Sequence, residues 1–225
     1  MNKRSTLFNA KTLSLLIIML FISIVTFAHF IIPDTYNLAT SKIILTYLKS
    51  GYKHVFVSAK EHVLFMISIF LLAPKGKPLI WQLLMFTVAD VIVFSLSLFK
   101  LPISVPLYII DPFFAGAIIF ASWQNLMSKK ILLSRYFLVF TIAIIHSLGL
   151  ESNLKEISTS QDPNIMFELV YNIGVELGQL TVIVLLIILI TKTLADKKNY
   201  RKLVVIPCSI VLIGIAAFNL SKIFL

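Results

Sequence analysis

The chain has 225 residues, 59% hydrophobic and 13% charged, with a mean hydropathy of +0.96 and a formal net charge of +10. That composition excludes an ordinary soluble domain and a disordered tail, and it fits an integral membrane protein. The lone cysteine, Cys208, excludes an internal disulfide framework, and the basic residues fall in short stretches between apolar runs, a topology signal and not a nucleic-acid footprint.

Apolar runs cover residues 12–32, 55–73, 79–99, 105–127, 131–150, 165–191 and 203–224. About 20 helical residues at ~1.5 Å each span the hydrocarbon core. The expected fold is therefore an all-α integral membrane protein, a bundle of about seven transmembrane helices. The first run follows Lys3, Arg4 and Lys11 and contains Thr26-Phe27-Ala28, which also suits a cleaved signal peptide. Cleavage leaves six spans. The expected organisation is residues 1–36 as first helix or signal, 37–202 as the membrane core and 203–225 as a last helix. With the N-terminus inside, 13 of the 20 Lys and Arg residues fall on the inner side, so the C-terminus is expected outside.

Residues 37–53 mix apolar side chains with Lys42, Lys49 and Lys53, which suits an amphipathic helix at the outer interface. At the head of the second run stand His54, Ser58, Glu61 and His62, sharing one helical face with His62 at its edge. Imidazole and carboxylate together suit nickel, cobalt, zinc or iron. Histidines at a helix mouth are the plainer explanation. The third run carries Thr87 and Asp90, and an acid at membrane depth marks either a pathway or a packing contact. Asp111-Pro112 in the fourth run serves a site or caps a helix, and Gln124 and Asn125 close that run. His146, Ser147 and Gly149 stand near the end of the fifth.

The sixth run is the most informative. Glu168, Asn172, Glu176 and Gln179 form one polar stripe, and Gly174 and Gly178 are four residues apart. A buried acid costs about 2.5 kcal/mol or more on insertion scales, so Glu176 must face protein, water or an ion. The glycine pair serves close helix packing or a functional contact. Polar groups on several runs point to a shared cavity open to the outer side, with a cation as the natural countercharge. The polar loop 151–163 is expected outside, and 197–202 is a basic inner loop.

The order of these motifs resembles the HupE/UreJ family of membrane proteins, its second branch in particular. Gly51-Tyr52-Lys53-His54 leads to Glu61-His62-Val63-Leu64-Phe65, then Phe86-Thr87-Val88-Ala89-Asp90, then Asp111 with Gln124-Asn125-Leu126. His146-Ser147-Leu148-Gly149-Leu150 follows, and Asn172 to Gln179 keeps the last motif whole. The chain departs from the family pattern at Asp90, which stands for a histidine, Glu61 for an aspartate and Gln124 for a glutamate. The resemblance implies a permease for nickel or cobalt in the bacterial cytoplasmic membrane. The implied metal-handling residues are His54, Glu61, His62, Asp90, Asp111, His146 and Glu176. A capture site near His54, Glu61 and His62 would feed a midplane site of Asp90, His146 and Glu176. Asn172 and Gln179 would orient the carboxylate, with Thr87, Asn125, Gly174 and Gly178 in support.

The expected partners are the lipid bilayer, a divalent nickel, cobalt or zinc ion as cargo, and a membrane subunit or second copy. No permanently bound cofactor, nucleic-acid partner or catalytic residue is expected. There is no Gly-x-x-x-x-Gly-Lys-Ser/Thr loop for nucleotide-driven transport. Two rivals stand beside the permease: a metal-dependent hydrolase using His62, Asp90 and His146, and a non-transporting accessory subunit. The hydrolase lacks both His-Glu-x-x-His and Gly-x-Ser-x-Gly.

Overall fold

The structure, a computed structural model, describes residues 38–58, 60–74, 76–98, 105–157, 165–191 and 199–223. The first apolar run, its cleavage site, the 1–36 segment and His29 lie outside the described residues. Among those described, all regular structure is helical. The α-helices are α1 (Leu38–Lys53), α2 (Lys60–Leu72), α3 (Lys77–Leu98), α4 (Leu107–Met127), α5 (Leu133–Ile157), α6 (Ile165–Leu186) and α7 (Ile206–Ile223). Wider π-helical turns at His54–Ser58, Ile187–Thr191 and Arg201–Val205 extend α1, α6 and the start of α7.

Among the described residues, three stretches are long and apolar enough to cross a membrane, Lys77–Leu96, Glu168–Ile190 and Arg201–Lys222. Lys42–Val57 and Lys60–Leu72 together form a fourth candidate, bent by 68°, and Leu133–Gly149 is apolar but shorter. The distribution of side chains agrees with a lipid surround. Leu133, Phe137, Leu189 and Leu203 are exposed, while His62, Gln82, Gln124, Asn125, Arg135 and His146 are buried. A water-soluble protein hides its large apolar groups and shows its polar ones.

The helix pairs that pack most extensively are α1 with α6, α3 with α5 and α4 with α7. Glycines set the first pair. A Cβ on Gly174 would collide with the backbone of Leu48 and Tyr52, and one on Gly51 with the backbone of Tyr171. A Cβ on Gly178 would stand 2.8 Å from Val55 Cγ2. These glycines therefore let two backbones approach, which assigns Gly174 and Gly178 a packing role. The helix expected over 37–53 forms as α1, but it lies against α6 and does not stand alone at the interface.

Three further expectations change. α4 begins at Leu107 after Pro106, so Pro112 lies inside the helix and does not cap it. There it removes one backbone donor from the second turn. Residues 151–157, expected in a loop, continue α5. The start of the last helix is tied to α4, because Arg201 donates to the carbonyls of Leu126 and Ser128, both at 2.7 Å. A guanidinium at the carbonyl end of a helix also meets the negative pole of its dipole. Arg201 and Lys202, expected in a basic inner loop, thus belong to the helical start of that segment. Between α2 and α3 the chain turns at Gly76, whose φ of 89° is left-handed backbone that favours glycine.

Candidate functional site

Three of the four histidines meet in the bundle. His62 lies on the first turn of α2, His146 on α5 and His54 in the π-helical turn after α1. The Nε2 atom of His62 is 2.9 Å from Nε2 of His146 and 3.2 Å from its Nδ1. Both rings are buried. The His54 ring centre is 5.3 Å from that of His62 and 6.3 Å from that of His146. Aromatic walls close the cluster. Phe114 stands 5.0 Å from His62 and 5.4 Å from His146, Phe86 5.9 Å from His146, and Tyr171 5.9 Å from His54. Sequence reasoning placed Phe86 in a motif without this role and missed Phe114 and Tyr171 as walls, since these two carry no signal beyond their apolar runs.

Two imidazole nitrogens on one tetrahedral zinc-type ion, each at ~2.0–2.1 Å, would be separated by about 3.3 Å. The His62–His146 separation is within a few tenths of that. Without a metal the pair is held by one shared proton, with one ring donating and the other accepting. Among the described residues, no three His, Cys, Asp or Glu side chains close on one point as a metal-holding group. The pair is therefore the unit, with His54 beside it.

A second polar cluster adjoins the first through the His146–Ser147 step. The Ser147 hydroxyl donates to the Asp90 carboxyl. Asp90 and Glu176 face one cavity, and Thr87 lies within hydrogen-bonding reach of Glu176. Asp90, Asn172 and Glu176 line a cavity of about 20 Å³, room for roughly one water or a bare cation. Among the described residues, the buried Asn172 side-chain carbonyl oxygen has no hydrogen-bond partner. A cation in this cavity would meet two carboxyls and that oxygen as ligands.

The expected grouping of site residues is thus rearranged. His146 joins the other histidines and not Asp90 and Glu176. Among the described residues, the buried Gln179 amide nitrogen has no hydrogen-bond partner. Glu61 and Asp111 line a separate groove whose walls, among the described residues, hold no histidine. The reason is helical: successive side chains diverge by about 100°, so His62 points into the bundle and its neighbour Glu61 away.

Asn125 belongs to a third cluster, further along the bundle. It donates to the Ser68 carbonyl at 3.0 Å. The same carbonyl accepts from Arg135 Nη2 at 2.6 Å. Arg135 also donates to Gln82 at 2.9 Å, to the Ala121 carbonyl at 2.9 Å and to Gln124 at 3.3 Å. All four acceptors are neutral, and Arg135 is fully buried. Topology counting places Arg135 among loop cations, whereas it sits in the first turn of α5 and joins α2, α3, α4 and α5. Along α5 it lies 11 residues from His146, or about 16 Å of rise.

The chain matches the family described as HupE / UreJ protein over residues 29–222. No curated protein and no solved structure matches it.

Proposed function

The chain belongs to the HupE/UreJ family, and from that premise we propose that it is a permease carrying a divalent transition-metal ion, nickel or cobalt, inward across the bacterial cytoplasmic membrane. The family is associated with nickel and cobalt transport and with urease or hydrogenase maturation. The observation that carries the reading is the His62–His146 pair, two ring nitrogens 2.9 Å apart in the buried core. Borderline metals take imidazole readily, and alkali and alkaline-earth ions do not.

In this reading the ion arrives near His54, binds between His62 and His146, and passes to the cavity of Asp90, Asn172 and Glu176. The carboxyls supply negative charge where the bilayer supplies none. Inward movement of a doubly charged ion gains about 4.6 kcal/mol at a potential of about 100 mV, twice the value for one charge. The site handles cargo and performs no chemistry on it. Asp90, the third ligand a hydrolytic site would need beside His62 and His146, lines the separate cavity with Asn172 and Glu176. The N-terminus lies inside and the C-terminus outside.

Radiolabelled nickel, cobalt and zinc uptake into cells expressing the chain tests the proposal. Uptake of one metal, lost in His62→Ala and Glu176→Gln, supports it. Absence of uptake for all three, with the protein present in the membrane, overturns it and favours an accessory subunit.

A further inference from the structure

A groove of about 800 Å³ opens where α2 and α4 begin and α7 ends. Lys60, Glu61, Asp111, Asn219 and Lys222 line it, and none of them belongs to the histidine or cavity clusters. Two ammonium groups and two carboxyls share its walls, with Glu61 close enough to Asp111 to repel it. The Lys222 ammonium lies 4.5 Å from the centre of the Phe218 ring, which holds it near the rim.

The groove has a polar end and an apolar end. Leu64 follows Glu61 by three residues, Ala115 follows Asp111 by four, and Ile215 precedes Asn219 by four. At ~1.5 Å of rise each, these apolar walls lie about 4.5–6 Å deeper along their helices. In a membrane-spanning chain, lysines at helix ends reach the headgroup layer. The charges therefore sit at headgroup depth with an apolar channel beneath them.

The charge pattern selects the occupant. A metal ion is disfavoured by the two lysines and a simple anion by the two carboxyls. An apolar segment such as residues 12–32 carries no Lys, Arg, Asp or Glu and would leave four charges covered and unpaired. A quaternary ammonium has no N–H to donate and relies on an aromatic cage, while Phe56 is the one aromatic side chain among the described residues of these walls. We propose that the groove binds a zwitterionic aminophospholipid of the phosphatidylethanolamine class. Its phosphate pairs with Lys60 and Lys222, its primary ammonium donates to Glu61 and Asp111, and its acyl chains run along Leu64, Ala115 and Ile215. This site is independent of the transport reading.

The test uses the full-length protein, purified in mild detergent and offered equimolar phosphatidylethanolamine, phosphatidylcholine and phosphatidylglycerol with identical acyl chains. Native mass spectrometry reads the lipid retained. Wild type is expected to retain the ethanolamine lipid at least about fivefold over either competitor. That preference should vanish in Glu61→Gln/Asp111→Asn and in Lys60→Gln/Lys222→Gln. Equal retention of the three lipids, or a preference surviving both double substitutions, overturns the proposal. A photo-crosslinking residue at Asn219 supplies a measurement in otherwise unaltered protein. Its expected adduct is the ethanolamine lipid, and capture of residues 12–32 of the same chain overturns the assignment.

Discussion

Gly174 of α6 faces the carbonyl of Leu48 in α1 so closely that a single added methyl would strike the backbone. This contact, with Gly51 and Gly178 on either side, fixes the π-helical turn that carries His54 against α6. Helix spacing and histidine placement are thus one feature of the fold. Gly174→Ala should cost about 1–3 kcal/mol, because two backbones must part. Gly116→Ala and Gly214→Ala are the controls, since a Cβ at either meets nothing within 4 Å. Thermal unfolding in detergent should show a lowered midpoint for Gly174→Ala alone. Equal losses at all three positions would remove the close approach as the cause.

Arg135 should be the most sensitive charged residue for stability. Its guanidinium satisfies Gln82, Gln124 and two backbone carbonyls at once. Arg135→Lys keeps the charge but loses the planar fork, and the ammonium cannot reach all four acceptors. Two charge-assisted bonds at about 1.5–3 kcal/mol each set the scale of the loss. Denaturation of Arg135→Lys beside Lys130→Ala checks this. The exposed Lys130 change should fall within about 0.5 kcal/mol of wild type.

The carboxyl cavity gives a graded prediction for transport. Asp90→Asn removes one of the two carboxyls at the cavity and should reduce metal uptake at least about tenfold, the effect of roughly 1.4 kcal/mol. Ser147→Ala removes only the hydroxyl that positions Asp90 and leaves the carboxyl in place. Its expected effect is a rise in half-saturating metal concentration with maximal uptake preserved. Concentration-dependent uptake in the two variants distinguishes charge from positioning. Identical loss of maximal uptake in both would contradict the assigned roles.

The helical membrane architecture was legible because apolar runs of about 20 residues have one solution in lipid. The convergence of His54, His62 and His146 was legible in part, through the order of motifs along the chain. What could not be read was which polar residues share a pocket. Glu61 and His62 are neighbours in sequence yet serve different spaces, since one step of a helix turns the side chain by about 100°. Arg135 looked like a loop cation because it follows Lys129 and Lys130, and only the partners on three other helices make it internal. The break between α1 and α2 was hidden for a similar reason. A π-helical turn adds a residue per turn without altering the apolar composition from which spans are recognised.

The His62–His146 pair yields the sharpest transport prediction. If one ion sits between two rings, removing either ring destroys the same interaction. His62→Ala and His146→Ala should each reduce uptake at least about tenfold, and the double variant should be no worse than the poorer single one. Two independent ligands would instead multiply, giving roughly a hundredfold loss or more in the double variant. His54→Ala belongs in the same series. Its ring centre is 5.3 Å from His62, outside the close pair, so its loss should weaken capture without abolishing transport. Initial uptake rates for the four variants, normalised to protein in the membrane, decide between a shared two-histidine site and separate stations.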